Sequence, residues 1–531
     1  MNRRRLVCVT CAAVLMAGYA ASAIAGVFSG SIRSVSSSSK KIAVRSTTSK
    51  TVKNYKISSS TRITLDGKKT TLRRLKPGYQ VSIFTKKSGA VTKISARSKS
   101  PSEPSTPTPK KKKAKTDTPE PSTPKKSARS KRRTKSTAST GGKEWHQFRG
   151  ANRDNVSPDK GLLQSWPSSG PRGLWIARGM GQGYSSVSIS NGLVYTMGNS
   201  GGSETVFAVN LQNGETAWKA RSGDASRLSA GNGPRGTPTV DGDAVYTLGG
   251  TGDLSCIDAK SGDIRWQKNI LREFQASNIG WGICESVLID GEKLICTPGG
   301  RGATMVALDK QTGDVIWRCA APGNPAASYA SPIVAEVGGI RQYITFTSRS
   351  VIGVRADNGS FLWGESSPAN GTANCSTPLF YQDHVFAASG YGTGGALFRL
   401  QSSGGRTAAQ QVFFTKDMQN HHGGMVIIDG YLYGSDDAIL TCINLQNGRV
   451  MWQNRSVGKG SVTYADGHIY LRSEGGPVAL VEANPRQYRE KGKFRQPERS
   501  GASAWPHPVV ADGKLFLRDQ DNLLCYDLKS R

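Results

Sequence analysis

One short unit recurs along the sequence and constrains the fold more than any other feature. Each copy starts with residues that favour β-strands and ends with glycine, three further residues and tryptophan. Asn or Asp stands four residues before the glycine in four copies, and Arg355 takes that place in the remaining one. An Asx side chain that binds the following backbone, with glycine at positive φ, is typical of a tight turn between two strands. The copies are VFAVNLQNGETAW (206–218), LSCIDAKSGDIRW (254–266), MVALDKQTGDVIW (305–317), VIGVRADNGSFLW (351–363) and LTCINLQNGRVMW (440–452).

A second kind of hairpin precedes each unit, as in VDGDAVYTLG from Val240 and ADGHIYLRS from Ala465. Turn signals flanked by strand formers predict such hairpins, and they begin at eight places: Ser190, Val240, Ile289, Val337, Tyr381, Ile428, Ala465 and Ala511. Two hairpins give four strands per unit. The tryptophans lie 48, 51, 46 and then 89 residues apart, and the last interval spans two units. This period predicts an all-β, eight-bladed β-propeller over residues 144–531.

The eighth unit lacks its outer strand, because LLCYDLKSR has no Gly-x-x-x-Trp turn. The segment RGLWIARG (Arg172–Gly179) precedes the first complete unit and carries a tryptophan of its own, so we expect it to complete the eighth blade. The outer hairpins are degenerate after Ala396 and Pro477. We expect each blade tryptophan to pack its outer strand against a neighbouring blade; these are Trp175, Trp218, Trp266, Trp317, Trp363 and Trp452.

The cysteines give no sign of a metal or redox motif in the predicted propeller. Seven cysteines follow residue 25, an odd number, and no two of them form a C-x-x-C pair. Cys256, Cys442 and Cys525 occupy the repeat position that Ala208 and Ala307 fill in other units. We therefore interpret them as small buried strand residues.

The positive charge of the chain is concentrated in its first quarter. The net charge is +33, and residues 1–143 contain 34 of the 71 Lys and Arg residues but only 4 of the 38 Asp and Glu residues, which leaves +3 for residues 144–531. Residues 1–25 combine a basic start, an apolar stretch and small residues, a pattern that predicts a cleaved secretory signal. The alternative, a short membrane anchor, is weakened by Gly18 and the small residues that interrupt the apolar run.

Two further segments separate the predicted signal from the propeller. Residues 26–96 alternate short β-type runs with turn signals, and they predict a small basic β-barrel-like module. Residues 97–143 are rich in Pro, Lys, Ser and Thr with few apolar residues, so we expect a disordered basic linker. The charge could bind an anionic polymer or surface; the alternative is a module that is merely basic and soluble.

The repeat also resembles a known family. The unit ALDKQTGDVIW (307–317) resembles the tryptophan-docking repeat of pyrroloquinoline quinone (PQQ) propellers, and the resemblance covers about residues 145–531. Three kinds of protein share that repeat: quinoprotein dehydrogenases, the BamB-type scaffold of outer-membrane β-barrel assembly, and secreted propellers of unassigned role. The phrases DGEKLICTPGG, GTANCSTP, SGYGTGGAL and NHHGG are most similar to the third group. Fold alone does not choose among them.

The residues just before each inner hairpin should form the mouth of the propeller channel. Polar and aromatic residues from all eight blades converge there, which suits a small ligand or a peptide; the alternative is a set of strand-end polar residues around a wet channel. The predicted mouth comprises Tyr184, Arg235, Trp281, Glu285, Tyr329, Asn374, His421, His422, Lys459, Trp505 and His507. The pair His421–His422 could hold a metal ion, but adjacent side chains on a strand point to opposite faces, so no metal site is predicted.

The resemblance implies PQQ with calcium as an alternative. PQQ is a planar tricarboxylate that needs an aromatic face, cations and a hard metal ion with oxygen ligands. Trp281 or Trp505 could supply the aromatic face, and Arg235 and Lys459 could supply the cations. Glu285 and Asn374 are the candidate oxygen ligands of the metal ion. Against it, the sequence has no adjacent cysteine pair and no C-x-x-C-H haem motif, and Glu285 is the one clear acid at the predicted mouth. If the protein were a dehydrogenase, Glu285 would be its base.

The sequence therefore predicts an exported, monomeric propeller on a basic tether that acts as a binding or scaffold protein of the cell envelope. Its expected location is the periplasm or envelope, with secretion as an alternative, and its partner would be an envelope protein or peptide. No cofactor is predicted, and a PQQ-dependent dehydrogenase acting on alcohols is the alternative function.

Overall fold

The computed structural model describes residues 26–46, 51–65, 68–85, 90–97, 144–422 and 424–530. These fall into two compact units, one within residues 1–131 and one within 132–531. The predicted signal (1–25) and nearly all of the predicted linker (97–143) lie outside the described residues, so those assignments and their boundaries stay predictions. Among the described residues, no helix has the length and apolar character needed to cross a bilayer.

The N-terminal unit is one seven-stranded sheet with its own core. Its elements are β1 (Gly26–Ser36), β2 (Lys41–Ser46), β3 (Val52–Lys56), β4 (Arg62–Leu65), β5 (Lys68–Lys69), a 3₁₀ turn (Leu72–Arg74), β6 (Gln80–Thr85) and β7 (Val91–Arg97). In the order β3-β2-β1-β6-β7-β4-β5 all neighbours are antiparallel except β4 and β7, and the two end strands are not paired with each other. Buried residues from central and flanking strands, such as Ile42, Ile63, Ile83 and Ile94, belong to one cluster. The sheet therefore encloses its own core, as a barrel-like module would, without closure through the described strands.

The second unit consists of eight four-stranded antiparallel sheets, which confirms the predicted eight-bladed propeller. Blade 1 contains β9 (Ser188–Ser190), β10 (Leu193–Ser200), β11 (Ser203–Asn210) and β12 (Thr216–Asp224), and blade 2 contains β13 (Thr239–Asp241), β14 (Ala244–Leu248), β15 (Asp253–Asp258) and β16 (Ile264–Asn269), followed by the short helix α1 (Ile270–Glu273). Blade 3 contains β17 (Leu288–Asp290), β18 (Lys293–Cys296), β19 (Met305–Asp309) and β20 (Val315–Cys319). Blade 4 contains β21 (Ile333–Val337), β22 (Ile340–Phe346), β23 (Val351–Arg355) and β24 (Phe361–Glu365).

Blades 5 to 8 follow the same plan, including the two units whose outer hairpins are degenerate in sequence. Blade 5 contains β25 (Leu379–Tyr381), β26 (His384–Ser389), β27 (Gly394–Ser403) and β28 (Arg406–Thr415), and blade 6 contains β29 (Met425–Ile428), β30 (Tyr431–Asp436), β31 (Ile439–Asn444) and β32 (Val450–Asn454). Blade 7 contains β33 (Gly460–Ala465), β34 (His468–Ser473), β35 (Pro477–Glu482) and β36 (Glu490–Arg495). Blade 8 contains β37 (Val509–Ala511), β38 (Lys514–Asp519) and β39 (Asn522–Asp527) and is completed by β8 (Gly173–Ala177).

The eighth blade is completed by the N-terminal strand, as the sequence predicts. Strand β8 pairs antiparallel with β39, with Cys525 opposite Trp175. The same small-residue–tryptophan pairing recurs in the other blades that carry the repeat, for example Ala307 opposite Trp317 and Cys442 opposite Trp452. The register explains why cysteine and alanine alternate at that position: the small side chain leaves space beside the indole.

Five of the six docking tryptophans reach the turn of the next blade. The Trp317 indole lies against Gly359, and its Nε1 donates a hydrogen bond to the carbonyl of Ala356 at 3.3 Å. Trp175, Trp218 and Trp266 make the same pair of contacts with blades 1, 2 and 3, and Trp452 Nε1 donates to the Asn484 carbonyl. Trp363 differs because its Nε1 donates to Gln342 Oε1 within its own blade. The glycine of each turn therefore serves two purposes: positive φ and space for the neighbouring indole.

A belt of hydroxyl groups joins the inner strands of successive blades. The backbone N–H of Ser186 donates to Thr237 Oγ1, that of Thr237 to Ser286 Oγ, that of Ser286 to Ser331 Oγ, and that of Ser331 to Thr377 Oγ1, at 2.9 to 3.2 Å. These contacts link five blades in sequence. The Ser186 hydroxyl also donates to the His507 carbonyl of blade 8 at 2.8 Å, which joins the first blade to the last.

Residues 144–157 form a plug that crosses the channel. Trp145 pairs with Ile189 of blade 1, and the His146 carbonyl accepts from Val240 of blade 2. Arg153, in the left-handed region with φ 57°, donates to the carbonyls of Ser286 and Val287 in blade 3.

The opposite side of the plug reaches the remaining arc of blades. Arg149 donates to the carbonyls of Thr377 and Met425, and the Asn155 amide donates to the Val462 carbonyl. The two arginines and Asn155 are almost fully buried, so their hydrogen bonds replace those to water. This plug fastens the two sides of the ring together, and no pattern in the sequence predicts it.

Candidate functional site

A cavity of about 240 Å³ lies at the channel mouth. Most of its wall comes from residues that precede the inner strands, and Phe148 contributes from the plug. The cavity is therefore bounded on the plug side. Its lining residues are Phe148, Tyr184, Ser186, Ala230, Arg235, Thr237, Trp281, Cys284, Tyr329, Ser331, Cys375, Thr377, Tyr391, His421, His422, Trp505, Pro506 and His507.

Aromatic rings follow one another around the wall. Trp281 lies with its ring centroid 5.2 Å from Tyr329 and 6.5 Å from Tyr391, and Tyr391 lies 4.5 Å from the ring of His421. On the other side, Trp505 lies 4.5 Å from Tyr184. These surfaces bind flat or apolar groups by stacking and dispersion.

The remaining gap in this sequence of rings is filled by His422. Its ring lies 5.7 Å from that of His421 and 6.1 Å from that of Trp505. The adjacent histidines therefore both face the cavity, and the expectation that they point to opposite faces is wrong. The reason is that they lie in the loop between β28 and β29, where the alternation of a strand does not apply.

Arg235 is the cation in the lining. Its guanidinium lies 5.1 Å from the centroid of the Tyr184 ring and donates to the carbonyls of Ala230, Gly231 and Gly233. These bonds hold its side chain in place within the wall. Burial raises the pKa of the Cys284 thiol to about 12 and also raises the pKa of Cys375, so both cavity cysteines carry protons at neutral pH.

Burial lowers the pKa of all three cavity histidines. Burial, with the nearby Lys459 charge as a smaller cause, lowers the pKa of His421 to about 4 and lowers that of His422 well below its usual range. Burial and Arg149 lower the pKa of His507 to about 3. Neutral imidazoles keep a lone pair available for a proton or a metal ion.

Eight of the eleven predicted mouth residues line this cavity, and three do not. Glu285 follows Cys284, which faces the cavity, and its own side chain is 2% exposed on the other side of the backbone. Burial raises the pKa of Glu285 to about 8, partly offset by Thr297 and Arg153, so it is protonated at neutral pH. It is therefore neither a base nor a ligand at the cavity.

The other two corrections have the same kind of cause. Asn374 is buried and donates to the Thr347 carbonyl at 3.0 Å, while the adjacent Cys375 lines the cavity. Lys459 lies 3.6 Å from Glu474 Oε1 and 3.8 Å from Asp437 Oδ1, beside the wall. Which residue of a neighbouring pair faces inward depends on backbone geometry that hairpin signals do not define.

Some cavity residues were absent from the predicted set. Tyr391 lies in the turn between β26 and β27 with φ 56°, where the sequence pattern gives no indication of direction. Cys375, in contrast, is expected at the mouth, because it stands beside Asn374 in the phrase GTANCSTP just before an inner hairpin, and it does line the cavity. Phe148 belongs to the plug.

The site does not fit calcium-bound PQQ. A hard calcium ion takes six to eight oxygen ligands, and the two oxygen ligands that the resemblance suggests, Glu285 and Asn374, lie outside the cavity. The carboxylate that contacts the wall, Glu474, lies beside imidazole nitrogens, with its Oε1 3.2 Å from His422 Nδ1. Mixed nitrogen and oxygen donors suit transition metals better than calcium.

Comparisons with known proteins agree with the architecture. Residues 202–454 match the family model described as outer membrane protein assembly factor BamB. A curated relative, the outer membrane protein assembly factor BamB of Shewanella oneidensis, is 24% identical over 289 residues, which cover 50% of this chain and 68% of the relative.

Solved quinohemoprotein alcohol dehydrogenases share the fold. The enzyme from Pseudomonas putida HK5 matches with a TM-score of 0.50 and 14% identity over 73% of this chain and 80% of the enzyme. The enzyme from Comamonas testosteroni matches with a TM-score of 0.50 and 12% identity over 73% of this chain and 81% of the enzyme. Identities this low show the fold alone. The repeated tryptophan-docked blades and the match of residues 202–454 to the BamB model make this chain similar to PQQ-like β-propellers.

Proposed function

We propose that this protein is a binding or scaffold propeller of the cell envelope whose cavity takes a small ligand or a peptide side chain with a flat apolar group. The observation that carries this proposal is the aromatic wall around a cavity bounded by the plug. Concave apolar sites with a few fixed polar groups are typical of ligand binding. The cavity supplies such groups through the anchored Arg235 and the hydroxyl belt.

An envelope location is part of the proposal. It rests on the predicted signal at residues 1–25 and on the similarity to an outer membrane assembly factor. An envelope protein or peptide is then the expected partner, and the basic region 26–143 would hold the propeller near an anionic polymer or surface. Cell fractionation with and without residues 1–25 tests the location.

A quinoprotein dehydrogenase is the weaker candidate. Its support is the shared fold, whereas the ligands and base that it requires are displaced from the cavity, as the positions of Glu285 and Asn374 show. Binding through aromatic surfaces needs neither group. The arrangement of side chains therefore favours recognition over alcohol oxidation.

The experiment uses N-acetyltryptophanamide as the probe, detected by ligand-observed NMR with the purified full chain. We expect binding by the wild type and a loss of at least about tenfold in the variant that combines Trp281→Ala with Tyr391→Ala, because both stacking surfaces are removed. Phe414→Ala, an exposed aromatic on β28 outside the cavity, is the matched control. No binding by the wild type, or equal binding by the double variant, would refute the proposal.

A further inference from the structure

Three side chains at one side of the cavity have the composition of a metal site. His421 and His422 come from the loop between β28 and β29, and Glu474 comes from the turn between β34 and β35. One donor atom from each of the three lies within 4.8 Å of the others. Zinc–nitrogen bonds of about 2.0–2.1 Å place tetrahedral ligand atoms roughly 3.3 Å apart. Small side-chain rotations would therefore bring the three donors to bonding distance.

Three of the four imidazole nitrogens in this group are buried without a hydrogen bond. Nδ1 of His421 and both ring nitrogens of His422 are buried and make no hydrogen bond with the described residues, although His422 Nδ1 lies 3.2 Å from Glu474 Oε1. A buried polar atom without a partner is uncommon because it loses its bonds to water.

The surroundings hold the carboxylate and one imidazole in place. Trp505 Nε1 donates to Glu474 Oε1 at 2.9 Å, and the backbone of Glu474 is fixed by bonds to Lys459 and Ala504. Gly390 packs against His421, and a Cβ there would lie 2.7 Å from the imidazole Cδ2. Such surrounding contacts orient metal ligands before the ion binds.

We propose that His421, His422 and Glu474 bind one divalent transition-metal ion, with zinc as the representative, in the wall of the cavity. Two imidazoles and one carboxylate leave at least one coordination position open. Because both histidines line the cavity, that position faces the cavity space and would accept a carboxylate, hydroxyl or amine of whatever occupies it. The inference does not depend on the proposed cavity ligand, because the metal alone is the probe.

Lys459 supplies an internal check on the proposal. Its Nζ lies 3.6 Å from Glu474 Oε1, where its charge competes with a metal ion for the same carboxylate, and 3.8 Å from Asp437 Oδ1. Replacing it by Gln removes the competing cation and should tighten metal binding. A residue of merely structural importance would not strengthen binding when it is changed.

The test is a titration of untagged, chelator-treated full chain with Zn²⁺, followed by calorimetry, and with Co²⁺, followed by visible absorption. We expect one equivalent to bind, with affinity reduced at least about tenfold by His421→Ala, by His422→Ala and by Glu474→Gln, since even changes around metal ligands cost about 10–100-fold. Lys459→Gln should bind more tightly. His384→Ala, which alters a histidine on β26 outside the cavity, should bind as the wild type does.

Folding is monitored by the thermal midpoint without metal, and Zn²⁺ should raise that midpoint in the wild type but not in the ligand variants. A histidine variant that unfolds is replaced by the milder His421→Gln or His422→Gln. The proposal is overturned if the wild type binds no zinc, if binding is equal in folded ligand variants and His384→Ala, or if Lys459→Gln weakens binding as the ligand variants do.

Discussion

Replacing Trp317 by Ala tests the idea that the repeat exists to dock one blade on the next. The indole is 8% exposed, lies over Gly359 of blade 4 and donates to the Ala356 carbonyl at 3.3 Å. A buried tryptophan hides roughly 200 Å², which corresponds to about 5 kcal/mol at ~25 cal/mol/Å². This value is an upper estimate because the unfolded chain is partly compact. The lost hydrogen bond contributes a further ~1 kcal/mol.

We therefore expect Trp317→Ala to lower the free energy of unfolding by about 3–5 kcal/mol, measured by urea denaturation. Ile316→Ala is the matched control, because Ile316 neighbours Trp317 on β20 but is 45% exposed. Its effect should stay within about 0.5–1 kcal/mol. Comparable losses in the two variants would refute the docking argument.

A double-mutant cycle separates docking from general damage. A Cβ at Gly359 would lie 2.5 Å from Trp317 Cε3, and the φ of Gly359 is 74°. Gly359→Ala should therefore destabilise the wild type through both the clash and the backbone strain. In the Trp317→Ala background only the strain, about 1 kcal/mol, should remain. Additive effects would mean that the two residues do not act on each other.

The remaining predictions concern closure, pH, charge and cofactor. Deleting Arg172–Gly179 should lower the thermal midpoint far more than deleting 26–140, and equal losses would contradict closure by β8. The raised pKa of Glu285 means that its protonated form stabilises the fold below the ordinary carboxyl range and that this contribution is lost as pH rises through about 8. The free energy of unfolding, measured by denaturation, should therefore decline between about pH 5 and 8. Glu285→Gln should flatten this decline, and it leaves the neighbouring Arg153 and Cys296 unchanged. Binding of the full chain to heparin should weaken steeply with salt and disappear on deleting 26–143; salt-insensitive binding would exclude the basic tether as its cause. With PQQ and calcium, dye-linked alcohol oxidation should be absent, and calcium-dependent turnover that Glu285→Gln abolishes would reverse our assignment.

The blade plan was predictable because turn chemistry is local. The Gly-x-x-x-Trp turn and the inner hairpins mark strand pairs without reference to the rest of the chain. Even the degenerate fifth blade keeps the docking principle: Phe413 takes the place of the tryptophan and lies against Gly448, where a Cβ would be 2.8 Å from its Cδ2. That substitution could not be recognised from a motif defined by tryptophan.

The cavity was predictable only in outline. Trp281, Tyr329 and Trp505 stand just before inner hairpins, and this position in the sequence correctly predicts that they line the cavity. That position does not determine whether Cys284 or Glu285 faces the cavity, because a shift of one residue along the strand exchanges the inward and outward side chains. The grouping of Glu474 with the two histidines depends on loops from different blades, and no sequence spacing encodes it.

The pairing of β8 with β39 also determines the order of events during synthesis. Gly179 and Asp521, which share a hydrogen bond at this seam, are 342 residues apart. At roughly 5–20 residues per second, β8 waits on the order of tens of seconds for its partner to be made. During that interval its apolar GLWIA edge, with Trp175, is an open template for another chain. A second nascent copy that offered its own β39 would complete the blade equally well, so the closing strand that makes one ring is also the element through which two copies would exchange segments.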